Sequence, residues 1–263
     1  MNYKKTYIAS NGYTKLCEID RCSCKRLEFG MVDLNVGDTV TIDTAEKEYV
    51  FVFLYGHADI TVNSNKWENV GGRMSVFDGP GYSVYVPRNS KVTFVGRDSV
   101  RIAVIDTPTD KDSEPELIGP DNVKFLTLGE KPWKRDCHII IDGDSNADYL
   151  TIGESYVVPN NWAGFPGHKH DVNDMPREAA AEEIYYFLFD KEQGFGFQSL
   201  YTRDGSIDET YRVKNNDLVE FPMGYHLTQT APGYKMYILW LMAGDEQGIH
   251  RTNDPDHDWV LQK

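Results

Sequence analysis

No stretch of this chain stays apolar for long. The longest such runs, "YVFVFLY" at 49–55 and "YILWLMA" at 237–243, fall far short of the roughly 20 residues a membrane-spanning helix requires. The opening "MNYKKTYIASNGYTKLCEI" contains no apolar segment of signal-peptide length, so a soluble, cytoplasmic protein is expected. Basic charge is scarce as well: 27 Lys and Arg stand against 41 Asp and Glu, a net charge of −14. Without bulk positive surface the chain cannot neutralise phosphates, and anionic membranes would repel it. Nucleic acid and membrane are therefore not expected partners. Four cysteines in 263 residues make no disulfide framework, and Cys22 and Cys24 in "CSC" lack a nearby second ligand pair, so reduced thiols are expected. A dinucleotide glycine fingerprint is also missing, because "GFGF" lies between strands and not ahead of a helix.

Helical periodicity is equally hard to find. Short runs rich in Val, Ile, Tyr and Phe recur instead between Gly, Asn, Asp and Pro clusters, as in "DTVTIDT", "ADITVNS", "VRIAVID", "EEIYYFLF" and "GFGFQSLYT". That rhythm predicts an all-β protein of sandwiches or barrels. The segment "TPTDKDSEPELIGPDN" at 107–122 interrupts it with acids and prolines and reads as a linker, dividing the chain into domains at 1–115 and 116–263. "REAAAEE" at 177–183 has helix-favouring alanines but runs straight into a strand, so it predicts one helical turn at most. "EKEYVFVFLYGHADITV" and "AEEIYYFLFDKEQGFGFQSLYT" share a pattern of acid, aromatic run, turn and second strand. A duplicated barrel is the natural reading.

The chemistry is concentrated in the second half. If "GHKHD" is extended, His168 and His170 project from one face and Lys169 from the other. In the next strand Glu183, Tyr185 and Phe187 share one face, while Glu182, Ile184 and Tyr186 share the opposite one. A glutamate can thus join two histidines inside a barrel. "FPMGYH" adds a third imidazole, His226, through a turn shaped by Pro222 and Gly224. Three imidazoles and a carboxylate suit Zn(II), Mn(II), Fe(II) or Ni(II), with coordination positions left for substrate or water. The plain alternative is a set of solvated loop histidines.

"HKH", a glutamate opening an aromatic strand, and "PMGYH" resemble the cupin pattern, in which two histidines and a glutamate come from a first motif and a histidine from a second. The usual first motif has few residues before its glutamate, whereas "DVNDMPREAAAE" intervenes here. Strand alternation favours Glu183, with Glu182 as the alternative. More narrowly, "NNWAGFPGHKHD", "DETYRVKNNDLVEFPMGYH", "GYKMYILWLMAG" and the closing "NDPDHDW" resemble the 5-deoxy-glucuronate isomerases of myo-inositol catabolism, which are bicupins akin to the ketol-isomerases of 4-deoxy-5-hexosulose uronates. That resemblance implies two tandem cupin barrels and an aldose to ketose conversion of 5-deoxy-D-glucuronate to 2-deoxy-5-keto-D-gluconate. It also implies one divalent metal per chain, with zinc foremost, held by His168, His170, Glu183 and His226. The first half lacks these ligands: Tyr49 falls where Glu183 would and Lys91 where His226 would. It is expected to be a scaffold or an interface, its edge strands open to pairing in a homo-oligomer.

Further candidates carry less pattern. Tyr185 should face the barrel interior, as a catalytic group or as packing. Gln198 on the neighbouring strand could bind sugar hydroxyls or face solvent. "HRTNDPDHDW" brings Arg251, Asp254 and His257 together, as a lid with catalytic roles for Asp254 and His257 or as an Asx-rich turn. A sugar acid bound by an acidic protein needs a local cation, for which Arg251, Lys169 and Arg177 are available and arginine is preferred for its fork. The same donor set also serves dioxygenases, decarboxylases and ligand-binding barrels.

Overall fold

The computed structural model describes residues 2–262. Apart from three short 3-10 turns, its regular structure is β-strand, arranged as antiparallel sheets of seven, six, five and four strands. The six- and four-stranded sheets come mostly from the N-terminal half, the seven- and five-stranded sheets from the C-terminal half.

Alternation along single strands builds two kinds of core. In Lys47–Tyr55, Val50, Val52 and Leu54 share one buried cluster with Ile184, Tyr186, Leu239 and Leu241 of the C-terminal half. The seven- and six-stranded sheets therefore meet across a common interior. The opposite face of Lys47–Tyr55 presents Tyr49, Phe51 and Phe53 to Ile60, Val62, Val92 and Phe94 of the four-stranded sheet. In Ala181–Phe189, Tyr185, Phe187 and Phe189 likewise turn toward Leu200 and Val213 of the five-stranded sheet. Each barrel thus has its own core, and the pair shares a third. At about 1.5–3 kcal/mol for each fully buried large apolar side chain, that shared layer is a substantial reason for the halves to stay together.

Polar contacts reinforce the joint. The Arg73 guanidinium bonds Glu154 across the two halves at 2.6 Å, both groups being buried, and the Tyr237 hydroxyl donates to the same carboxylate at 2.7 Å. Glu48 accepts backbone N–H bonds from Asp148, Tyr149 and Leu150. Two short strands lie across the division drawn at 115/116. Lys4–Thr6 pairs with Asp217–Phe221 of the C-terminal half, and Glu116–Ile118 pairs with Ser83–Val86 of the N-terminal half. The irregular linker is also narrower than its proline content suggests, because the strand Val100–Pro108 reaches its first proline. "REAAAEE" forms no helical turn; an isolated bridge joins Asp174 to Glu178, and the strand begins at Ala181.

Candidate metal centre

The strand Trp162–Lys169 delivers His168, and His170 follows two residues later with its ring on the same interior side. His168 is register partner to His226 on Tyr225–Thr230, which sets their rings 4.4 Å apart between centroids. Glycine makes two close approaches possible here. A Cβ at Gly164 (φ +69) would lie 2.6 Å from Cε1 of His168, and one at Gly224 (φ +93) would lie 2.8 Å from the Tyr201 carbonyl oxygen. The glycine in "PMGYH" therefore lets the turn pass tightly before His226.

Glu183 stands opposite Phe221 and Met242 on the barrel side of its strand. Its Oε2 lies 3.0 Å from Nε2 of His170 and 2.9 Å from Nε2 of His226. Ligand atoms of His170, Glu183 and His226 all fall within 4.8 Å of one another. Nδ1 of His168 faces the Gly164 carbonyl at 3.1 Å, and Nδ1 of His170 faces the Ala181 carbonyl at 2.8 Å. These carbonyls accept from Nδ1 and turn Nε2 toward the interior, the outer arrangement typical of metal-binding histidines. Nε2 of His226 is buried without a hydrogen bond of good geometry, an orphaned donor atom that a cation would satisfy. Glu182 points the other way and accepts the backbone N–H groups of Lys25, Arg26 and Leu27.

Electrostatics follow from burial. Desolvation holds His168 well below the usual imidazole range, with nearby Arg251 adding to the effect, and it lowers His226 too. Burial also disfavours charge on His170, but the bond and charge of Glu183 outweigh it and raise that imidazole. For Glu183, burial would raise the carboxyl, yet the His170 and His226 imidazoles beside its Oε2 bring it down to about 2. The carboxylate is ionised at neutral pH and most of the imidazoles beside it are neutral, as metal ligation requires.

A second cluster, Cys17, Cys22 and Glu220, also groups its donor atoms within 4.8 Å. There the cation is built in. The Lys5 ammonium lies 2.6 Å from the Cys22 sulfur and 2.7 Å from Glu220, and the Cys17 hydrogen bond, aided by Lys5, brings the Cys22 thiol down to about 6. All four cysteines are buried and unbridged, and Cys24 stands outside this cluster.

The cavity beside the imidazoles is lined by His168, His170, Glu183, Tyr185, Arg135 and Arg251, with Cys137, Trp240 and Met242 among its other walls. Tyr185 thus faces it as expected, and burial next to Glu183 pushes its phenol well above the ordinary range, so it remains a proton donor. Other candidates lie elsewhere, and for the closing segment the geometry is that of the Asx-rich turn. Gln198 is fully buried, its amide spent on the Ser199 and Leu227 carbonyls and on the Thr228 hydroxyl, and it does not line the cavity. Asp254 is buried too, but it accepts from the Tyr201 hydroxyl at 2.7 Å and from the backbone of Asp256, which makes it the anchor of an Asx turn. His257 is exposed at the start of the 3-10 turn Asp258–Leu261. Lys169 pairs with Asp171 and Glu178, and Arg177 with Asp174, so neither cation is free for the cavity. Arg135 was missed, although "RDCHIII" alternates as a strand should and places Arg135, Cys137 and Ile139 on one face.

A family model described as KduI/IolB matches residues 3–260. The chain belongs to the KduI/IolB family. A 5-deoxy-glucuronate isomerase of Geobacillus thermodenitrificans (strain NG80-2) is 38% identical over 89% of this chain and 86% of its own. One from Bacillus subtilis (strain 168) is 34% identical over 98% and 97%. The crystal structure of an IolB-like protein from Salmonella typhimurium LT2 superimposes with a TM-score of 0.95 at 30% identity, covering all of both chains. Lactobacillus farciminis oxalate decarboxylase, only 10% identical, superimposes with a TM-score of 0.70 over 100% of this chain and 91% of that one. This last likeness concerns fold alone and agrees with the expected pair of cupin barrels.

Proposed function

We propose that this protein is an isomerase acting on 5-deoxy-D-glucuronate, yielding 2-deoxy-5-keto-D-gluconate, in the breakdown of myo-inositol in the cytoplasm. The observation that carries this reading is the likeness, along nearly the whole chain, to relatives named 5-deoxy-glucuronate isomerases. The site is chemically suited to the reaction. His168, His170, Glu183 and His226 would hold one divalent cation, for which zinc is our choice. Bound there, the cation would act as a Lewis acid that acidifies the carbon proton between the aldehyde and its neighbouring hydroxyl.

The remaining roles belong to the chain itself. Gly164 and Ala181 hold two imidazoles with Nε2 toward the interior through their carbonyls. Tyr185, kept protonated by its surroundings, offers a hydrogen bond to oxygen as negative charge develops on it. Trp240 and Met242 restrict water on the sheet side of the cavity. Asp254 acts through position: its bond to Tyr201 and its backbone N–H to the Gly167 carbonyl, at 2.7 Å, tie the segment carrying Arg251 to the strand carrying His168. The barrel of residues 1–115 serves as scaffold. Incubation of purified protein with 5-deoxy-D-glucuronate under nitrogen, followed by NMR, tests the proposal. Loss of the aldehyde signal without oxygen or a redox cofactor is expected; binding without aldehyde loss would make the protein a sugar-binding barrel instead.

A further inference from the structure

Two arginines line the cavity beside the imidazoles, Arg135 from the strand Arg135–Ile141 and Arg251 from the segment just before Thr252–Asn253. The well-buried arginines elsewhere have acids: Arg73 bonds Glu154 and Arg101 bonds Asp33. Among the described residues, neither Arg135 nor Arg251 has a carboxylate within ion-pair distance or a hydrogen-bonded partner. Among the described residues Glu183 is the one carboxylate of the cavity wall, and its Oε2 is turned to His170 and His226. A chain with a net charge of −14 thus places two guanidiniums in one partly desolvated space and pairs neither directly with a carboxylate, Glu183 acting on Arg251 only through its charge from beyond ion-pair distance. Charges held in this way are unfavourable until an anion arrives between them.

The backbone holds both in place. Arg135 is register partner to Val157 and to Leu128. Thr252 pairs with Lys169 and Asn253 with His168, so the chain at Arg251 is fastened to the strand that supplies the imidazoles. The Thr252 hydroxyl bonds Glu178, and the Asn253 amide donates to Asp258 at 2.9 Å. These contacts give the closing "TNDPDHD" motif a purpose that leaves its own acids outside the cavity.

We propose that Arg135 and Arg251 together bind the carboxylate of the sugar acid, at the end of the molecule away from the carbonyl that faces the imidazole cluster. This rests on the isomerase reading for the identity of the substrate. Paired guanidinium forks match a carboxylate in geometry and charge, so the cavity selects acids over neutral sugars of the same length. Arg135 is therefore a specificity-determining residue alongside Arg251.

The test compares the 5-deoxyuronate with its methyl ester in wild type, Arg135→Met and Arg251→Met. The wild type should favour the acid by at least about 100-fold in kcat/KM, a preference that needs two charge-assisted bonds of roughly twice ordinary strength. Each variant should lower that preference tenfold or more, mainly through KM. Equal loss on acid and ester would overturn the proposal. A second readout requires no turnover: binding of D-glucuronate to chelator-treated protein, followed by NMR, should weaken at least tenfold in either variant. If no substrate is turned over but this binding behaves as stated, the isomerase reading fails and the anion site stands; unchanged binding in both variants sinks the anion site. Thermal melting guards against misfolding, because removing one of two unpaired like charges should raise Tm in ligand-free protein, whereas a merely structural arginine would lower it.

Discussion

The two barrels place different side chains on equivalent strands. Tyr49 stands opposite Val86 as Glu183 stands opposite Phe221. Pro87 and Pro222 follow these partners, and Asn89 (φ 57) and Gly224 (φ 93) then make the same left-handed step. Beyond the turn, His168 and His226 form a register pair in one barrel, and Ile42 and Val92 form the buried pair in the other. The N-terminal barrel is closed by rings, with Phe94 at 4.9 Å from Phe51 and 6.4 Å from Phe53. One framework thus supports either dense apolar packing or a buried polar cluster. Since buried imidazoles and carboxylates give up hydration that only good partners restore, the second barrel surrenders packing for chemistry, and the filled barrel with the shared core supplies stability.

The largest expected effect separates the barrels by function. Glu183→Gln should abolish tight metal binding, measured by elemental analysis, and lower kcat/KM on the order of 10³-fold, more than the 10–100-fold typical of groups outside the ligand shell. Phe94→Ala is the counterpart. It should cost about 3–5 kcal/mol in denaturant unfolding while leaving kcat near wild type at temperatures where the protein stays folded. A large loss of kcat there would mean that the filled barrel takes part in the chemistry.

Between the barrels, the sign of a pH effect tests the joint. Burial would raise the Glu154 carboxyl, but Arg73 outweighs it and holds the group at about 2, below its ordinary 4.5. A depressed carboxylate contributes stability that is complete above about pH 4.5 and disappears as pH falls toward 2. That contribution, on the order of 3 kcal/mol, should vanish from the acid limb of the stability curve in Glu154→Gln. Because Arg73 then lies buried without its partner, the variant should also be less stable at neutral pH.

The smallest effects concern residues that sequence placed at the site and structure does not. Glu182→Gln should keep its metal and lose roughly 1–2 kcal/mol of stability, since its carboxylate serves three backbone N–H groups. His257→Gln should change kcat/KM by less than about twofold, as expected of an exposed group remote from the cavity.

Much of this was legible beforehand for a definite reason. The period of two that builds strands also decides which side chains share an interior, so "HKH" and the choice between Glu182 and Glu183 could be read from alternation. The same rule applied to the other half corrects a residue count. Lys91, matched to His226 by distance from the turn, is exposed, and Val92 occupies the inward position. Loops gave less. Asp254 and His257 sit in a turn whose hydrogen bonds depend on Tyr201 and Gly167, far away in sequence, and no local pattern reports such partners. Arg135 was readable in principle but lay in a strand that offered no motif, and what marks it is the lack of an acid within reach, which appears only in three dimensions.

The central claim is that the imidazole cluster of the C-terminal barrel holds a catalytic divalent cation and the N-terminal barrel holds none. Elemental analysis of untagged wild type and His226→Ala, paired with activity before and after exhaustive chelation, tests it most directly. The account predicts about one equivalent per chain in wild type, little in the variant, and activity that chelation removes and added Zn(II) or Mn(II) restores. Full turnover in protein stripped of metal, or an undiminished metal content in His226→Ala, would contradict it.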